Sequence, residues 1–209
     1  MMNSDNDPEN PSRSAFAAVS GLLAFGVAMM GSVGSVYLSI GLGLKACPLC
    51  FYQRSFMMAA AVSLLMSFWL DGVHSTRSCL VALPFAWAGL VVAAFHEYLV
   101  LNSKLECPPA LFGWGDGPAQ SLAVFCVLTA VCVAGAIANR RNSAKQGIPS
   151  ILVAILVGVG VAGACIASAP PLPPKPIQPY DSSKQPFDMC RPPFVTPSKQ
   201  SAYGLHPPV

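Results

Sequence analysis

The chain has 209 residues, 54% of them hydrophobic and only 10% charged, with a mean hydropathy of +0.55. A soluble domain carries about 25% charged residues, so this composition argues against a cytosolic globular enzyme, and its apolar content argues against a disordered chain. The net charge of +3 is scattered in short interruptions between apolar runs and is too weak to indicate a nucleic-acid partner. What remains is a small polytopic membrane protein.

Five runs are long enough to span a bilayer, which takes roughly 20 apolar residues. They are Ala15 to Leu44, Phe51 to Leu70, Cys79 to Leu101, Ala119 to Ala138 and Ile148 to Ala169. Each is predicted to be a helix, because the bilayer core offers the backbone no other hydrogen-bond partners and no strand alternation is visible. The first run is too long for the apolar core of a signal peptide, and the leader before it is acidic rather than basic, so it is expected to stay on the chain. Gly21, Gly26, Gly31, Gly34, Gly41 and Gly43 recur through it, as in helices that pack closely.

Orientation follows from Lys and Arg in the short connections. One side would hold Arg13, Arg77, Arg140, Arg141 and Lys145, and the other Lys45 and Lys104. The five-charge side is expected to be cytoplasmic, with the N-terminus inside and the C-terminus outside. After Ala169 the chain turns Pro-rich and loses helical periodicity, so an extended, polyproline-like tail is expected, carrying Cys190.

Cys47-Pro48-Leu49-Cys50 is a C-x-x-C at the outer mouth of the second run. Such a pair can close a small ring, and its first thiol often has a lowered pKa. A soluble thioredoxin-like site would need a βαβ context, which is absent. Zinc would usually need four ligands, and there is no second C-x-x-C or paired histidine. Arg54 follows Cys50 by one helical turn on the same face. Arg54 and Glu97 are the charged residues inside the five runs, and a charge there marks a functional site by default, snorkelling to the headgroups being the alternative. His96 and Glu97 lie at the outer end of the third run, at a similar depth.

The segment CPLCFYQR resembles the C-x-x-C-x-Y-x-R signature of the DsbB family of membrane quinone-linked thiol oxidases, and GSVGSVYLS late in the first run is also similar to that family. The likeness extends over residues 15 to 140. It implies an all-α membrane protein with a DsbB-like four-helix transmembrane bundle, to which this chain adds a fifth C-terminal helix. It also implies that Cys47 and Cys50 pass electrons to a quinone, ubiquinone or menaquinone, with Cys50 against the ring. By the same resemblance Arg54 holds the quinone, His96 belongs to the same site, and Cys107 is the outer-loop cysteine attacked by a DsbA-like thioredoxin-fold partner.

One departure stands out. The family keeps a second cysteine pair in the loop between helices three and four, whereas here Asn102 to Pro118 holds Cys107 alone. Cys79 lies at the cytoplasmic end, and Cys126 and Cys132 would point about 120° apart on one helix. All three are expected to pack as small hydrophobes. Cys165 and Cys190 remain as partners for Cys107. Elimination and topology favour Cys190, since about 20 residues of tail at about 3.1 Å each span some 60 Å. The tail would then fold back over the outer ends of the helices.

The expected division is a cytoplasmic leader, 1–14, a DsbB-like membrane domain, 15–140, a loop and added helix, 141–169, and an extracytoplasmic Pro-rich tail, 170–209. The expected function is reoxidation of the extracytoplasmic disulfide donor from the bacterial inner membrane, through Cys47, Cys50, Cys107 and Cys190, with no metal. The alternatives are an enzyme of the vitamin K epoxide reductase type, in which the C-x-x-C lies late in the chain, or a non-enzymatic metal-handling membrane protein.

Overall fold

The computed structural model describes residues 11–73, 75, 77–113, 115–139, 148–176, 178–181 and 185–194. Five helices account for most of them: α1 (Pro11–Ile40), α2 (Pro48–Asp71), α3 (Ser78–Leu101), α4 (Gly117–Asn139) and α5 (Ile148–Ser168). A short 3-10 turn, Leu111–Gly113, sits between α3 and α4. Every helix contains a stretch of 21 to 24 residues long and apolar enough to cross a membrane, and no strand occurs among the described residues. The protein is a multi-pass, all-helical membrane protein. Most of the leader and the basic residues Arg140, Arg141 and Lys145 lie outside the described residues.

Several helix ends differ from the bounds that hydropathy marks, α1 starting at Pro11 ahead of Ala15 and α4 at Gly117 ahead of Ala119. α1 stops at Ile40 instead of Leu44, because the Tyr37 carbonyl accepts the Leu42 N–H at 3.3 Å as well as that of Gly41, the Leu44 N–H turns back to the Leu38 carbonyl at 3.0 Å, and Gly43 takes a φ of +68°. α2 begins at Pro48, ahead of Phe51, because Cys47 caps it and proline suits a first helical position, where no N–H is needed. Hydropathy reports contact with lipid, whereas caps and glycines set where a helix ends.

α3 is the central helix and packs against α2, α4 and α5, while α1 packs against α2 and α4. The contact faces are rich in small residues: Ala82, Ala86, Ala88 and Ala93 of α3 are buried, as are Ala24 and Ala28 of α1 and Ala60 and Ala61 of α2. Small side chains let helix backbones approach in a solvent where burial of apolar surface gives little drive to associate. Many large apolar side chains face outward, Trp69 at 85% and Leu101 at 75% exposure, while Leu64, Leu83, Phe125 and Leu128 fill the interior. α5 rests on α3 through Ala154, Gly158 and Ala162. A Cβ at Gly158 would lie 2.6 Å from the Pro84 carbonyl oxygen.

The connections 41–47 and 102–116 lie at one end of the bundle, and the described part of the tail is docked there without helix. Glu106 and Arg191 exchange both backbone hydrogen bonds, at 2.8 and 3.0 Å, and the Arg191 Nε donates to Glu106 Oε1 at 2.8 Å. The Arg191 guanidinium also lies over the Tyr180 ring, 3.8 Å from its centroid. Lys45 pairs with Asp188 at 2.9 Å, which holds the Asp188 carboxyl below its ordinary range. Lys175 donates to the Ser103 carbonyl at 2.9 Å. Cys107 and Cys190 are joined by a disulfide.

Candidate redox site

The C-x-x-C occupies the first turn of α2. Cys47 is the N-cap residue, with extended backbone (φ −69°, ψ 165°), and its sulfur accepts the Cys50 backbone N–H at 3.2 Å. The two sulfurs lie 2.9 Å apart, hydrogen-bonded as free thiols. Cys47 is buried, yet its pKa is held well below the ordinary thiol range. The hydrogen bond from the Cys50 thiol is the chief cause, helped by His96 and the Cys50 N–H and opposed by burial. A helix N-terminus, where backbone N–H groups converge, favours a thiolate for the same electrostatic reason.

His96 reaches this pair from near the end of α3. Its ring is fully buried, with Nε2 3.9 Å from the Cys47 sulfur and 3.7 Å from the Cys107 sulfur. Its other nitrogen, Nδ1, is 3.3 Å from the side-chain nitrogen of Gln53, which is also buried. The tail completes the cluster: the reactive atoms of Cys47, Cys50, His96 and Cys190 all lie within 4.8 Å of one another. With Cys190 bonded to Cys107, this set lacks the four free donors of a structural zinc site.

Arg54 does not snorkel. Its guanidinium turns onto α1, donating to the Ser35 hydroxyl at 2.9 Å, the Ser35 carbonyl at 2.8 Å and the Ser39 hydroxyl at 2.6 Å. The α1 segment GSVGSVYLS is therefore what fixes the arginine. Arg54 and Cys50 both line a cavity of about 440 Å³. Gly31 and Gly34 of α1 and Val124 of α4 form parts of its apolar wall, and Cys107 and Cys190 reach its rim.

The six residues given site roles from the sequence thus gather at one end of the bundle: Cys47, Cys50, Arg54, His96, Cys107 and Cys190; Glu97, singled out there for its charge, belongs neither to the thiol cluster nor to the cavity wall. Gln53, Ser35 and Ser39 also belong to the site and were not singled out. Gln53 sits inside the CPLCFYQR signature, but its role shows only in the burial and the His96 contact that the fold gives it. Cys165 is a free thiol. Cys126 is exposed on α4 rather than packed, because the helical offset that buries Cys132 turns Cys126 outward. Cys79 and Cys132 are both buried and hydrogen-bond to each other across α3 and α4, a meeting that no sequence spacing foreshadows.

These features define a class: a helical membrane bundle with a thiol pair at a helix N-terminus, a disulfide against it, and an apolar cavity alongside. The family model for disulfide bond formation protein DsbB matches residues 17–123, just over half of the chain. The chain belongs to the DsbB family. It is 30% identical over 106 residues to disulfide bond formation protein B of Xanthomonas euvesicatoria, covering 46% of this chain and 54% of that protein. The same identity and coverage hold for the protein of that name from Xanthomonas campestris. The chain thus matches about half the length of these curated relatives, and no solved structure matches it.

Proposed function

We propose that the protein is a membrane thiol–disulfide oxidoreductase that reoxidises a DsbA-like thioredoxin-fold donor and delivers the electrons to a membrane quinone. The observation that carries this reading is the convergence of two cysteine pairs around His96, beside a cavity shared by Cys50 and Arg54.

The relay consists of thiol–disulfide exchanges, each an attack by a thiolate that displaces another. A partner thiolate attacks Cys107, forming a mixed disulfide and releasing Cys190 as a thiolate. Cys190, within 4.8 Å of Cys47, attacks it, breaking Cys47–Cys50 and releasing the Cys50 thiolate. The partner's second thiolate then resolves its bond to Cys107 and leaves oxidised. Finally the freed Cys107 thiolate attacks Cys190, re-forming Cys107–Cys190 and releasing Cys47. Two electrons have moved from the partner to Cys47 and Cys50. The bonding found here, Cys107–Cys190 closed and Cys47 and Cys50 free, corresponds to the end of that sequence.

The cavity's residues fit a quinone, with an apolar wall for ring and chain and Arg54 at its polar end. When bound, a quinone would accept two electrons and two protons as Cys47–Cys50 closes again. Held by three hydrogen bonds to α1, Arg54 presents a fixed positive charge in a low-dielectric setting, where stabilising a developing anion counts most. The site end of the bundle would face the extracytoplasmic side of a bacterial inner membrane, with residues 170–209 outside and the 140–147 connection inside.

Quinone reduction coupled to oxidation of a reduced thioredoxin-fold protein tests this reading. Cys50→Ala should abolish it, and normal turnover in that variant would reject the proposal.

A further inference from the structure

We propose that Gln53 is a positioning residue that fixes the tautomer of His96, so that a single Nε2–H serves both the entering and the leaving sulfur of the relay's last exchange. This inference rests on the relay proposed above.

The argument begins with the buried amide. The Gln53 side-chain nitrogen, 3.3 Å from His96 Nδ1, can only donate. Nδ1 must therefore accept, and a neutral imidazole whose Nδ1 accepts carries its proton on Nε2. Nε2 is the atom that faces Cys47 at 3.9 Å and Cys107 at 3.7 Å. Those two sulfurs come from different redox pairs, and they flank Cys190, to which Cys107 is bonded and which lies within 4.8 Å of Cys47.

In the last exchange the Cys107 thiolate attacks Cys190, the Cys190–Cys47 bond breaks, and Cys47 leaves as a thiolate. One negative charge enters and one departs, so no proton has to move. The charge shifts from one sulfur to another inside a buried cluster, where an unsolvated thiolate is costly. A fixed N–H within reach of both sulfurs can hydrogen-bond the charge before and after transfer. The opposite tautomer would present a lone pair to both and oppose each thiolate. Gln53 touches no sulfur in this scheme and acts through His96 alone.

The test uses the full chain in detergent with ¹⁵N-labelled histidine, the His96 signals being assigned by their loss in a His96→Asn variant. The unaltered protein should show Nε2 protonated and Nδ1 bare; a protonated Nδ1 would overturn the proposal. In parallel, quinone-free protein with both pairs oxidised is mixed with one equivalent of a reduced thioredoxin-fold dithiol, quenched and mapped. Gln53→Leu should slow arrival of electrons at Cys47 and Cys50 by between about tenfold and a hundredfold, the range for losing a hydrogen bond to a charged group. Gln53→Glu should slow it by a similar factor, because a carboxylate accepts from Nδ1–H and so leaves the Nε2 of a neutral ring bare toward both sulfurs; a Gln53→Glu rate equal to the unaltered one would also overturn the proposal. A Gln53→Leu rate equal to the unaltered one would overturn the proposal. If the unaltered chain passes no electrons to Cys47 and Cys50, the relay itself fails, and that result is separate from the tautomer measurement.

Discussion

A thiol stands at the N-cap of α2, where Ser, Thr, Asp or Asn is the usual choice. In the proposed relay Cys47 therefore has two tasks, capping a helix and reacting, and substitution can separate them. Cys47→Ser keeps an acceptor for the Cys50 N–H and should leave thermal stability in detergent nearly unchanged while abolishing turnover. Cys47→Ala should abolish turnover and also cost about 1 kcal/mol of stability. The lowered pKa of Cys47 has its own signature. An ordinary thiol is only roughly 0.3% ionised at pH 6, so Cys47 in the protein with both Cys47 and Cys50 reduced should still be alkylated rapidly there by iodoacetamide. In linkage terms, the unfolded chain binds a proton that folded Cys47 does not. The stabilising contribution is thus full above the ordinary thiol range and is lost as pH falls through the lowered value. Arg54→Ala should raise the quinone KM by more than about tenfold, on the scale of charged hydrogen bonds, with a smaller effect on reduction of Cys47–Cys50 by the partner. At this scale the C-x-x-C and Arg54 were legible from their spacing and their place in an apolar run. Gln53 was not, because a glutamine within a helix carries no signal until the residue it faces, forty-three positions away, is known.

The helices show how far hydropathy alone reaches. It marks five spans, but not which faces meet, since in lipid the contact faces are as apolar as the rest and are distinguished by size. Gly89 illustrates this. A Cβ there would overlap the ring of Phe125, so the glycine fixes the approach of α4 to α3. Gly89→Ala should destabilise the bundle by about 1–3 kcal/mol, the usual cost of overpacking, measured as a lower unfolding midpoint in detergent. Gly158 sets the seat of α5 in the same way, against the Pro84 carbonyl and Trp87. α5 lies beyond the family match at 17–123, yet it brings the chain back across the bundle and so supplies the tail that carries Cys190. Gly158→Leu should loosen α5 and slow oxidation of the protein partner more than quinone reduction by a small dithiol. Equal loss of both activities would place α5 in the core machinery instead.

For the molecule as a whole, the lone Cys107 of its loop is matched by a cysteine 83 residues later, delivered by a helix and a tail. Closing a loop of that size removes roughly 4–5 kcal/mol of conformational freedom from the unfolded chain on an entropic account. In the proposed relay that bond would nevertheless have to open in each cycle without the tail drifting away. The Glu106–Arg191 pairing, the Lys45–Asp188 ion pair and the Lys175 contact would hold Cys190 near its targets with that bond open. The sequence could suggest the pairing by elimination, but not these contacts, which join residues far apart along the chain. The topology proposed for the relay places reporters fused after Val209 outside and reporters within Arg140 to Lys145 inside; a C-terminal reporter on the cytoplasmic side would remove Cys190 from the relay. The most direct test follows the electrons themselves. Quinone-free protein with both disulfides closed is mixed with one equivalent of reduced thioredoxin-fold partner, quenched with an alkylating agent and mapped by mass spectrometry. The expected end point is Cys107–Cys190 closed and Cys47 and Cys50 alkylated. A map in which Cys107 and Cys190 stay reduced while Cys47–Cys50 remains closed would contradict the relay.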